Sequence, residues 1–403
     1  MAGLYIHIPF CESRCIYCGF YSTTSLKLRD EYIDAVCREM QMRPIGKALG
    51  SDETTIETIY LGGGTPSQLS SEQLSHLFAA IEKNYPCQTD DMEITMECNP
   101  DDVTEDFCKT LQKLPINRIS MGAQTFSNQR LRFLHRRHNA EEVRTAVQRL
   151  RSIGIPNISI DLMFGFPNET LEDWKNDIRE AIALDVEHIS AYSLMYEEGT
   201  ALYKMLESEK IEEIDEELSR HMYDTLIDML TEAGYEQYEI SNFARPNYRS
   251  RHNSSYWHEV PYIGLGAAAH SYKRAITESG MMEVTRSWNI ENLSEYIESI
   301  QKGELPSEEE HLDLDTRYND MITTALRTKD GIDLEKMKAE FGEELQHRLL
   351  SEAKEKIDRG LMEIRTENVC NPKDGNEKSH SSLSLTREGL YISDDIMGDF
   401  MIV

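Results

Sequence analysis

Basic residues are scarce in this 403-residue chain. It contains 42 Lys and Arg against 72 Asp and Glu, which gives a formal net charge of −30 at pH 7. Nucleic-acid phosphates and anionic membrane surfaces attract basic faces, and a chain this acidic offers them no evident binding face. We therefore expect no nucleic-acid partner.

Long apolar runs and a basic leader are also missing. No uninterrupted apolar stretch in the sequence approaches the roughly 20 residues that span a bilayer, and the opening MAGLYIHIPF carries no Lys or Arg before its apolar residues. These absences predict a soluble, cytoplasmic protein. Disulfides are not expected in a large, unsecreted chain whose eight cysteines form only one tight cluster.

Short runs rich in Ile, Val and Tyr alternate with longer stretches of helical periodicity. We expect strands over 3–10, 55–64, 91–100, 118–124, 157–166 and 188–195, and helices that include 141–154 and 170–184. Repeated β–α units predict a parallel barrel or open sheet, and six units fall short of a full (β/α)8 barrel. We favour an α/β fold built on a partial (β/α)6 TIM-like barrel.

The sequence pattern changes twice after this alternation. Beyond about residue 205 come acidic helices and then a stretch, 241–272, that looks irregular. Farther on, expected helices near 313–328 and 333–342 and a strand at 360–366 suggest a smaller α+β domain of winged-helix-like type. We therefore predict three parts, a core barrel (1–205), a connecting region (206–295) and a C-terminal domain (296–403).

Three cysteines stand together in YIHIPFCESRCIYCGFYS. Cys11, Cys15 and Cys18 form C-x3-C-x2-C, which places three thiolates on one loop. Soft thiolate ligands select zinc or an iron–sulfur cluster. Structural zinc generally needs four closed ligands, commonly from two separated pairs, and the sequence has no second pair. The spacing favours a [4Fe–4S] cluster whose fourth iron is open to a small molecule, with zinc as the competing interpretation.

The cysteine motif, with Tyr17 just before its last cysteine, resembles the signature of the radical S-adenosylmethionine superfamily. The resemblance implies that the three cysteines hold a [4Fe–4S] cluster and that S-adenosylmethionine chelates its open iron. It also implies the partial barrel inferred above, whose C-terminal strand ends carry the site. The cofactor-binding positions that it implies are Tyr5, Tyr17, Gly63, Gly64, Thr65, Glu97, Gln124, Arg136 and Asp161.

Three parts of that set have more specific implied roles. The LGGGTPS segment lacks the Gly-Lys-Ser/Thr ending of a phosphate-binding loop, and the resemblance assigns it to the methionine amino group. Glu97 matches the residue that hydrogen-bonds the ribose hydroxyls. Arg136 is a candidate partner of the methionine carboxylate.

The motif spacings are similar to those of the coproporphyrinogen-oxidase-like branch of this superfamily, which contains two kinds of protein. The oxygen-independent coproporphyrinogen III dehydrogenases have a fourth cysteine where this chain has Phe20, and an N-terminal extension for which we expect no room here. The heme chaperones lack that cysteine and carry H-N-x-x-Y-W. This chain has HNSSYW at 252–257, so the resemblance favours a heme chaperone.

The heme motif supplies His252, Asn253, Tyr256 and Trp257. Imidazole is a common axial ligand of heme iron, and aromatic rings offer flat faces to a porphyrin. The resemblance implies heme binding and delivery to heme-acceptor apo-proteins such as respiratory cytochromes or oxidases. Two alternatives stay open, a coproporphyrinogen dehydrogenase and a zinc-stabilised scaffold. Peripheral membrane contact and the number of subunits also stay open.

The residues after this motif, GLGAAAH (264–270), match the dinucleotide-binding pattern G-x-G-x-x-A. We discount that interpretation because no ordered βαβ unit surrounds the match. His270 ends the segment and receives no role from the sequence.

Overall fold

The computed structural model describes residues 2–50, 54–88, 91–276, 280, 282–370 and 377–402. The chain forms two compact units, each with its own hydrophobic core. The barrel unit comprises Met1–Glu236, Ser241–His252 and Val260–His311, and the C-terminal unit comprises Gln237–Ile240, Asn253–Glu259 and Leu312–Val403.

Six parallel strands form the centre of the barrel unit. They are β1 (Ala2–Ile8), β2 (Ile56–Gly63), β3 (Glu93–Cys98), β4 (Arg118–Gln124), β5 (Asn157–Phe164) and β6 (His188–Ser193). Each pairs in parallel with the next in chain order. Most of their residues are buried, as is typical of parallel strands covered on both faces. The predicted α/β class and its six parallel strands are confirmed.

Helices separate these strands along the chain. They are α1 (Arg29–Met42), α2 (Ile45–Leu49), α3 (Ser71–Asn84), α4 (Glu105–Leu111), α5 (Asn128–Phe133), α6 (Ala140–Ser152) and α7 (Leu171–Ala183). Capping boxes start the predicted helices α6 and α7, through Asn139 with Glu142 and Thr170 with Asp173. Within the described ranges, no helix is both long enough and apolar enough to cross a bilayer.

The sheet continues on both sides of the six strands. The later elements are α8 (Ala201–Glu207), α9 (Glu216–Glu232), β7 (Glu236–Gln237), β8 (Asn242–Ala244), α10 (Arg251–Trp257), β9 (Tyr262–Leu265), β10 (His270–Ile276), β11 (Met282–Asn289), α11 (Leu293–Lys302) and β12 (Ser307–His311). In the described part of the chain, twelve strands lie in the order β12-β11-β10-β9-β1-β2-β3-β4-β5-β6-β8-β7. The predicted connecting region therefore contributes strands to the same sheet as the core.

The prediction that 241–272 is irregular was wrong in part. This stretch contains the short strand β8, helix α10 and strand β9, and β9 pairs in parallel with β1. Strands of three or four residues are too short to show a periodicity, and their hydrogen-bond partners lie far away in sequence. The structure also supports discounting the dinucleotide pattern, because β9 is followed by the antiparallel strand β10 and not by a helix.

The C-terminal unit is a small α+β structure. Its elements are α12 (Leu314–Leu326), β13 (Ile332–Asp333), α13 (Leu334–Asp358), β14 (Met362–Cys370), β15 (Glu377–Leu385), α14 (Arg387–Leu390) and α15 (Ser393–Phe400). The predicted second helix, near 333–342, extends to Asp358 across a kink at Gly342, whose φ is +88°. The predicted strand at 360–366 corresponds to the first part of β14, which pairs antiparallel with β15, and residues 371–376 between the two strands lie outside the described residues.

Candidate functional site

The carboxyl ends of β1 to β6 share one edge of the sheet because the strands are parallel. The cysteine loop leaves β1 there, and the glycine segment ends β2. Glu97 and Gln124 are among the last residues of β3 and β4. Asp161 differs from the expectation, because it lies inside β5, three residues before its end at Phe164.

Polar donors from two other loops of the barrel unit reach the cysteine loop. The Thr65 hydroxyl donates to Sγ of Cys11 at 3.4 Å, and Nη1 of Arg136 donates to Sγ of Cys15 at 3.5 Å. The Cys18 amide donates to the Cys15 carbonyl at 3.3 Å. Burial raises the pKa of Cys18, and the neighbouring Cys15 and Cys11 act in the same direction. The three thiols are thus close enough to interact, and two of them receive hydrogen bonds.

The residues between the cysteines anchor the loop to the barrel. Ile16 is buried in a small apolar cluster with Leu134 and Leu202. Its amide donates to the Leu134 carbonyl at 3.3 Å, and its carbonyl accepts from the Leu202 amide at 2.9 Å. Burial raises the pKa of the neighbouring Tyr17, which lies near Arg136. The buried side chain and the backbone of Ile16 therefore hold the cysteine loop at the sheet edge.

The donor set fits an iron–sulfur cluster better than a single ion. Within the described ranges, no three His, Cys, Asp or Glu side chains are close enough to share one metal ion, as a structural zinc site requires. A cubane cluster takes each thiolate on a different iron, so its ligands stand farther apart than those of a single ion. Three partly exposed cysteines on one loop, two of which receive hydrogen bonds at sulfur, are the soft ligands that such a cluster takes.

Glu97 is held by two donors from β2. It accepts from the Tyr60 hydroxyl at 2.8 Å and from the Gly63 amide at 3.1 Å. Burial raises its pKa to about 7, and the nearby Asp161 acts in the same direction. Burial likewise raises the pKa of Asp161 to about 6, against hydrogen bonds from Ser190 and Ser120. Two acidic groups near the sheet edge therefore titrate close to neutral pH.

The glycine segment approaches β1 too closely for a side chain. Gly63 has φ +109°, and a Cβ there would lie 2.5 Å from the His7 ring. A Cβ on Gly64 would lie 2.8 Å from the Pro9 carbonyl carbon. The His7 ring bonds the Tyr5 hydroxyl through Nδ1 at 3.0 Å, so the glycines fit against a fixed Tyr5–His7 pair.

Asn99 joins the predicted residues into one network. Its amide nitrogen donates to the Thr65 hydroxyl at 3.4 Å, and its amide oxygen accepts from Nη2 of Arg136 at 2.9 Å. Arg136 also donates to the Gly122 carbonyl at 2.6 Å, and a Cβ on Gly122 would meet both Arg136 and Gln124. Sequence reasoning missed Asn99, although its position just after β3 in ECNP could have indicated it.

Arg137, the next residue, ties the cysteine loop to the turn after β3. Its guanidinium pairs with Glu12 in the loop, with Asp101 at 2.8 Å and with Asp102 at 2.7 Å. Asp102 in turn accepts from the Ser67 hydroxyl at 2.6 Å, just after the glycine segment. Arg137 was also missed, because its partners come together only in the folded chain.

The structure places the heme motif on helix α10. The carboxylate of Glu93 accepts from the first amides of that helix, Arg251 at 3.0 Å and His252 at 2.9 Å. The His252 side chain is enclosed in the barrel unit, with 1% of its surface exposed. Its Nδ1 bonds the Thr58 hydroxyl at 2.8 Å, and its ring stacks on Tyr60 at 5.1 Å. The predicted ligand is thus packed among β2 side chains.

The other motif residues, Asn253, Tyr256 and Trp257, belong to the C-terminal unit. The Arg327 guanidinium lies over the Trp257 ring, 4.8 Å from its centroid. Trp257 also lines a cavity of about 310 Å³ in that unit, together with Met321, Met337 and Phe341. Its buried indole nitrogen has no hydrogen-bond partner among the described residues. The four predicted heme residues are therefore divided between the two units.

Comparisons with known proteins agree with this geometry. Residues 5–181 match the Radical SAM superfamily, and residues 312–375 match the HemN C-terminal domain. The solved structure of coproporphyrinogen III oxidase (HemN) from Escherichia coli matches with a TM-score of 0.78 at 21% identity, covering 99% of this chain and 89% of that chain. At that identity the likeness shows the fold alone. Fold and site together define a radical SAM protein with a HemN-type C-terminal domain.

Sequence relatives show to which family of radical SAM proteins the chain belongs. The heme chaperone HemW of Bacillus subtilis (strain 168) is 33% identical over 404 residues, covering 100% of this chain and 99% of that protein. HemW of Escherichia coli (strain K12) is 36% identical over 271 residues, covering 66% of this chain and 69% of that protein. The chain belongs to the heme chaperone HemW family.

Proposed function

We propose that this protein is a heme chaperone that binds heme, a [4Fe–4S] cluster and S-adenosylmethionine, and that it delivers heme to apo-proteins such as respiratory cytochromes or oxidases. The observation that carries the proposal is the full-length similarity to HemW. A cysteine series that stops before Phe20 points the same way. The Phe20 side chain is 70% exposed, so core packing does not explain why a phenylalanine stands at this position.

The cluster and S-adenosylmethionine would occupy the sheet edge. Cys11, Cys15 and Cys18 would hold the cluster, which when bound supplies an open iron and an electron. Gly63, Gly64 and Thr65 would receive the methionine amino group. Glu97 and Arg136 would bind the ribose hydroxyls and the methionine carboxylate. Four further side chains would complete the pocket, Tyr5, Tyr17, Gln124 and Asp161.

The residues around this pocket are arranged for binding and orientation. The Arg136 guanidinium is already fixed by Asn99 and the Gly122 carbonyl, so an incoming carboxylate meets a preorganised donor. Tyr60 and the Gly63 amide aim the Glu97 carboxyl. Binding hydroxyl donors favours the ionised carboxylate, so Glu97 would lose its proton as the ribose binds.

The alternative enzyme, an oxygen-independent coproporphyrinogen III dehydrogenase, shares the fold and must be tested directly. The HemN-type C-terminal domain keeps that candidate open. The absence of a cysteine at position 20 disfavours it. The zinc-scaffold alternative has less support, because no single-ion ligand group exists in the described part of the chain.

The test is heme titration of the full chain, reconstituted anaerobically with iron and sulfide, beside an assay for coproporphyrinogen III conversion. We expect a saturable Soret band and no protoporphyrinogen. Robust conversion would contradict the proposal, as would zinc in place of iron and labile sulfide.

The predicted role of His252 is tested by its substitution. If His252 ligates the heme iron, His252→Ala should weaken heme binding while cluster iron stays unchanged. His188→Ala is the matched control, because His188 is also buried and its Nδ1 bonds the Ser159 hydroxyl at 2.7 Å. Equal heme binding by both variants and the unaltered chain would remove His252 from the heme site.

A further inference from the structure

One face of strands β9, β10 and β11 carries a series of aromatic and cationic side chains. Directly opposite residues of paired strands point to the same face of a sheet. The register pairs Tyr262 with Tyr272, Tyr272 with Arg286, and His270 with Trp288. These five side chains therefore share one face, which we call the β9–β11 face.

Ring geometry supports this assignment. The rings of Tyr262 and Tyr272 stack with centroids 6.4 Å apart and an interplanar angle of 21°. The rings of His270 and Trp288 stack at 6.1 Å and 29°. Both tyrosines and Trp288 are partly buried, and the His270 side chain is exposed. Flat, accessible rings in two neighbouring stacks are suited to a planar, partly apolar ligand.

The β9–β11 face is continuous with the face of β1 that carries Gly3 and Tyr5. In the parallel pairing of β1 with β9, Tyr262 lies beside Gly3 and Gly264 beside Tyr5. A Cβ on Gly264 would lie 1.9 Å from the His270 carbonyl oxygen. This glycine therefore lets β10 begin directly across β9, at the end where the cysteine loop leaves β1. The β9–β11 face thus borders the cofactor pocket at Tyr5.

The β9–β11 face carries one guanidinium, that of Arg286, and the register pairs Arg286 with Glu310 and Trp288 with Glu308 of β12, so two carboxylates border the same face. Arg286 lies close enough to Tyr262 to lower the pKa of that phenol, against the raising effect of burial. It also lowers the pKa of His270, in the same direction as burial. A guanidinium beside stacked rings suits a planar ligand that carries carboxylates, which would compete with Glu310 for Arg286.

His270 differs from His7 and His252 in its exposure and in its hydrogen bonds. His7 is 5% exposed and both its ring nitrogens are bonded, to Tyr5 and to the Tyr21 carbonyl. His252 is 1% exposed and bonded to Thr58. In the described structure, the ring nitrogens of His270 make no hydrogen bond or ion pair, and its side chain is exposed. A neutral, accessible imidazole can coordinate heme iron.

We propose that the β9–β11 face is the heme-binding surface of this protein, with His270 as the axial iron ligand, Arg286 as the partner of a propionate, and the Tyr262, Tyr272 and Trp288 rings against the porphyrin. The proposal rests on the proposed heme-chaperone function and goes further by assigning the contact surface. It makes His252 a packing residue that supports β2, rather than the ligand.

The test compares two ligands on the full, reconstituted chain, heme and metal-free protoporphyrin IX. Axial ligation contributes only when iron is present. We therefore expect His270→Ala to weaken heme binding by at least about tenfold, which corresponds to about 1.4 kcal/mol, and to leave protoporphyrin IX binding unchanged. Trp288→Ala should weaken both ligands, because stacking does not need the metal. His270→Met should bind heme with a shifted Soret band, since the ligand atom changes.

Lys273→Ala is the matched control, because Lys273 is on the same strand and points to the other face. It should bind both ligands as the unaltered chain does. Heme binding unchanged in His270→Ala, or lost in His252→Ala alone with a changed iron spectrum, would overturn the assignment. If the unaltered chain bound no heme at all, the chaperone proposal itself would fail, so the two failures are distinguishable. Circular dichroism and cluster iron confirm that each variant is folded.

Discussion

The cysteine-loop edge and the β9–β11 face lie side by side on one sheet and are built differently. At the edge, polar atoms from separate strands are linked to one another, as when Asn99 joins Thr65 to Arg136. On the β9–β11 face, stacked rings are placed by strand register. The first arrangement suits a resident group that must stay fixed. The second suits a planar ligand that binds and is then transferred to another protein.

The largest effect should come from removing one cluster ligand. Cys15→Ser should abolish cluster iron and labile sulfide, because a hydroxyl is a poor substitute for a thiolate on iron. Heme binding should persist, since the β9–β11 face contains no cysteine. Iron analysis and heme titration of the same sample measure both. The control is Cys87→Ser, at a partly buried cysteine outside the loop, which should change neither cluster iron nor heme binding. Loss of heme binding in Cys15→Ser would show that the heme site depends on the cluster.

A smaller loss should follow from Arg137→Met. This change removes the charge that joins Glu12 to Asp101 and Asp102. Hydrogen bonds to charged groups each contribute about 1.5–3 kcal/mol. If the loop opens more easily by about 1.4 kcal/mol, it is open on the order of ten times as often. We therefore expect cluster iron to be lost in air on the order of tenfold faster.

The matched control for Arg137 is Arg144→Met, which removes a more exposed arginine that pairs with Glu141 and Glu180. Exposed ion pairs contribute little, so its cluster should survive air as long as that of the unaltered chain. Equal iron loss in both variants would show that Arg137 does not secure the loop.

The cofactor edge should also respond to pH through Glu97. Its pKa of about 7 lies above its ordinary value because of burial, so the free protein holds a proton there at pH 6 and has lost it at pH 8. Ribose hydroxyls bind the ionised form better. Affinity for S-adenosylmethionine should therefore rise from pH 6 to pH 8, with proton release on binding near pH 6.

Calorimetry in buffers of different ionisation enthalpy measures that proton. Glu97→Gln cannot titrate, so its affinity should be lower at pH 8 and its pH dependence flatter. A pH dependence that is identical in Glu97→Gln would assign the titration to another group, such as Asp161, whose pKa is about 6.

The smallest effect is expected at position 20. Phe20→Cys creates the fourth cysteine of the dehydrogenase pattern on an exposed part of the loop. We expect cluster iron to be unchanged and no coproporphyrinogen III conversion to appear, because substrate chemistry needs a pocket as well as a ligand. Phe20→Leu is the control for the lost ring. Measurable conversion by Phe20→Cys would show that one residue separates the two activities.

The sequence predicted the parts of this structure that are encoded locally. Cys11, Cys15 and Cys18, the glycine segment and Glu97 belong to short motifs at strand ends, where local spacing determines placement. The six strands were predicted because buried parallel strands leave continuous apolar runs. These are properties of neighbouring residues, and no long-range information is needed to recognise them.

The rest depends on contacts between residues far apart in the chain. The enclosure of His252 by Thr58 and Tyr60 of β2 could not be predicted, because these residues lie far from it in the sequence. Trp288 lies beside His270 only through the pairing of β10 with β11. The sequence does not show that pairing, so it gave His270 no role. Strand register and the packing of one element on another are not visible in local patterns.

The most direct test of this account is a composition measurement on one anaerobic sample of the full chain, reconstituted with iron and sulfide, saturated with S-adenosylmethionine and then with heme. If the cysteine-loop edge and the β9–β11 face are separate sites, heme should bind while cluster iron and S-adenosylmethionine both stay bound. Release of either one in proportion to the heme taken up would contradict the account.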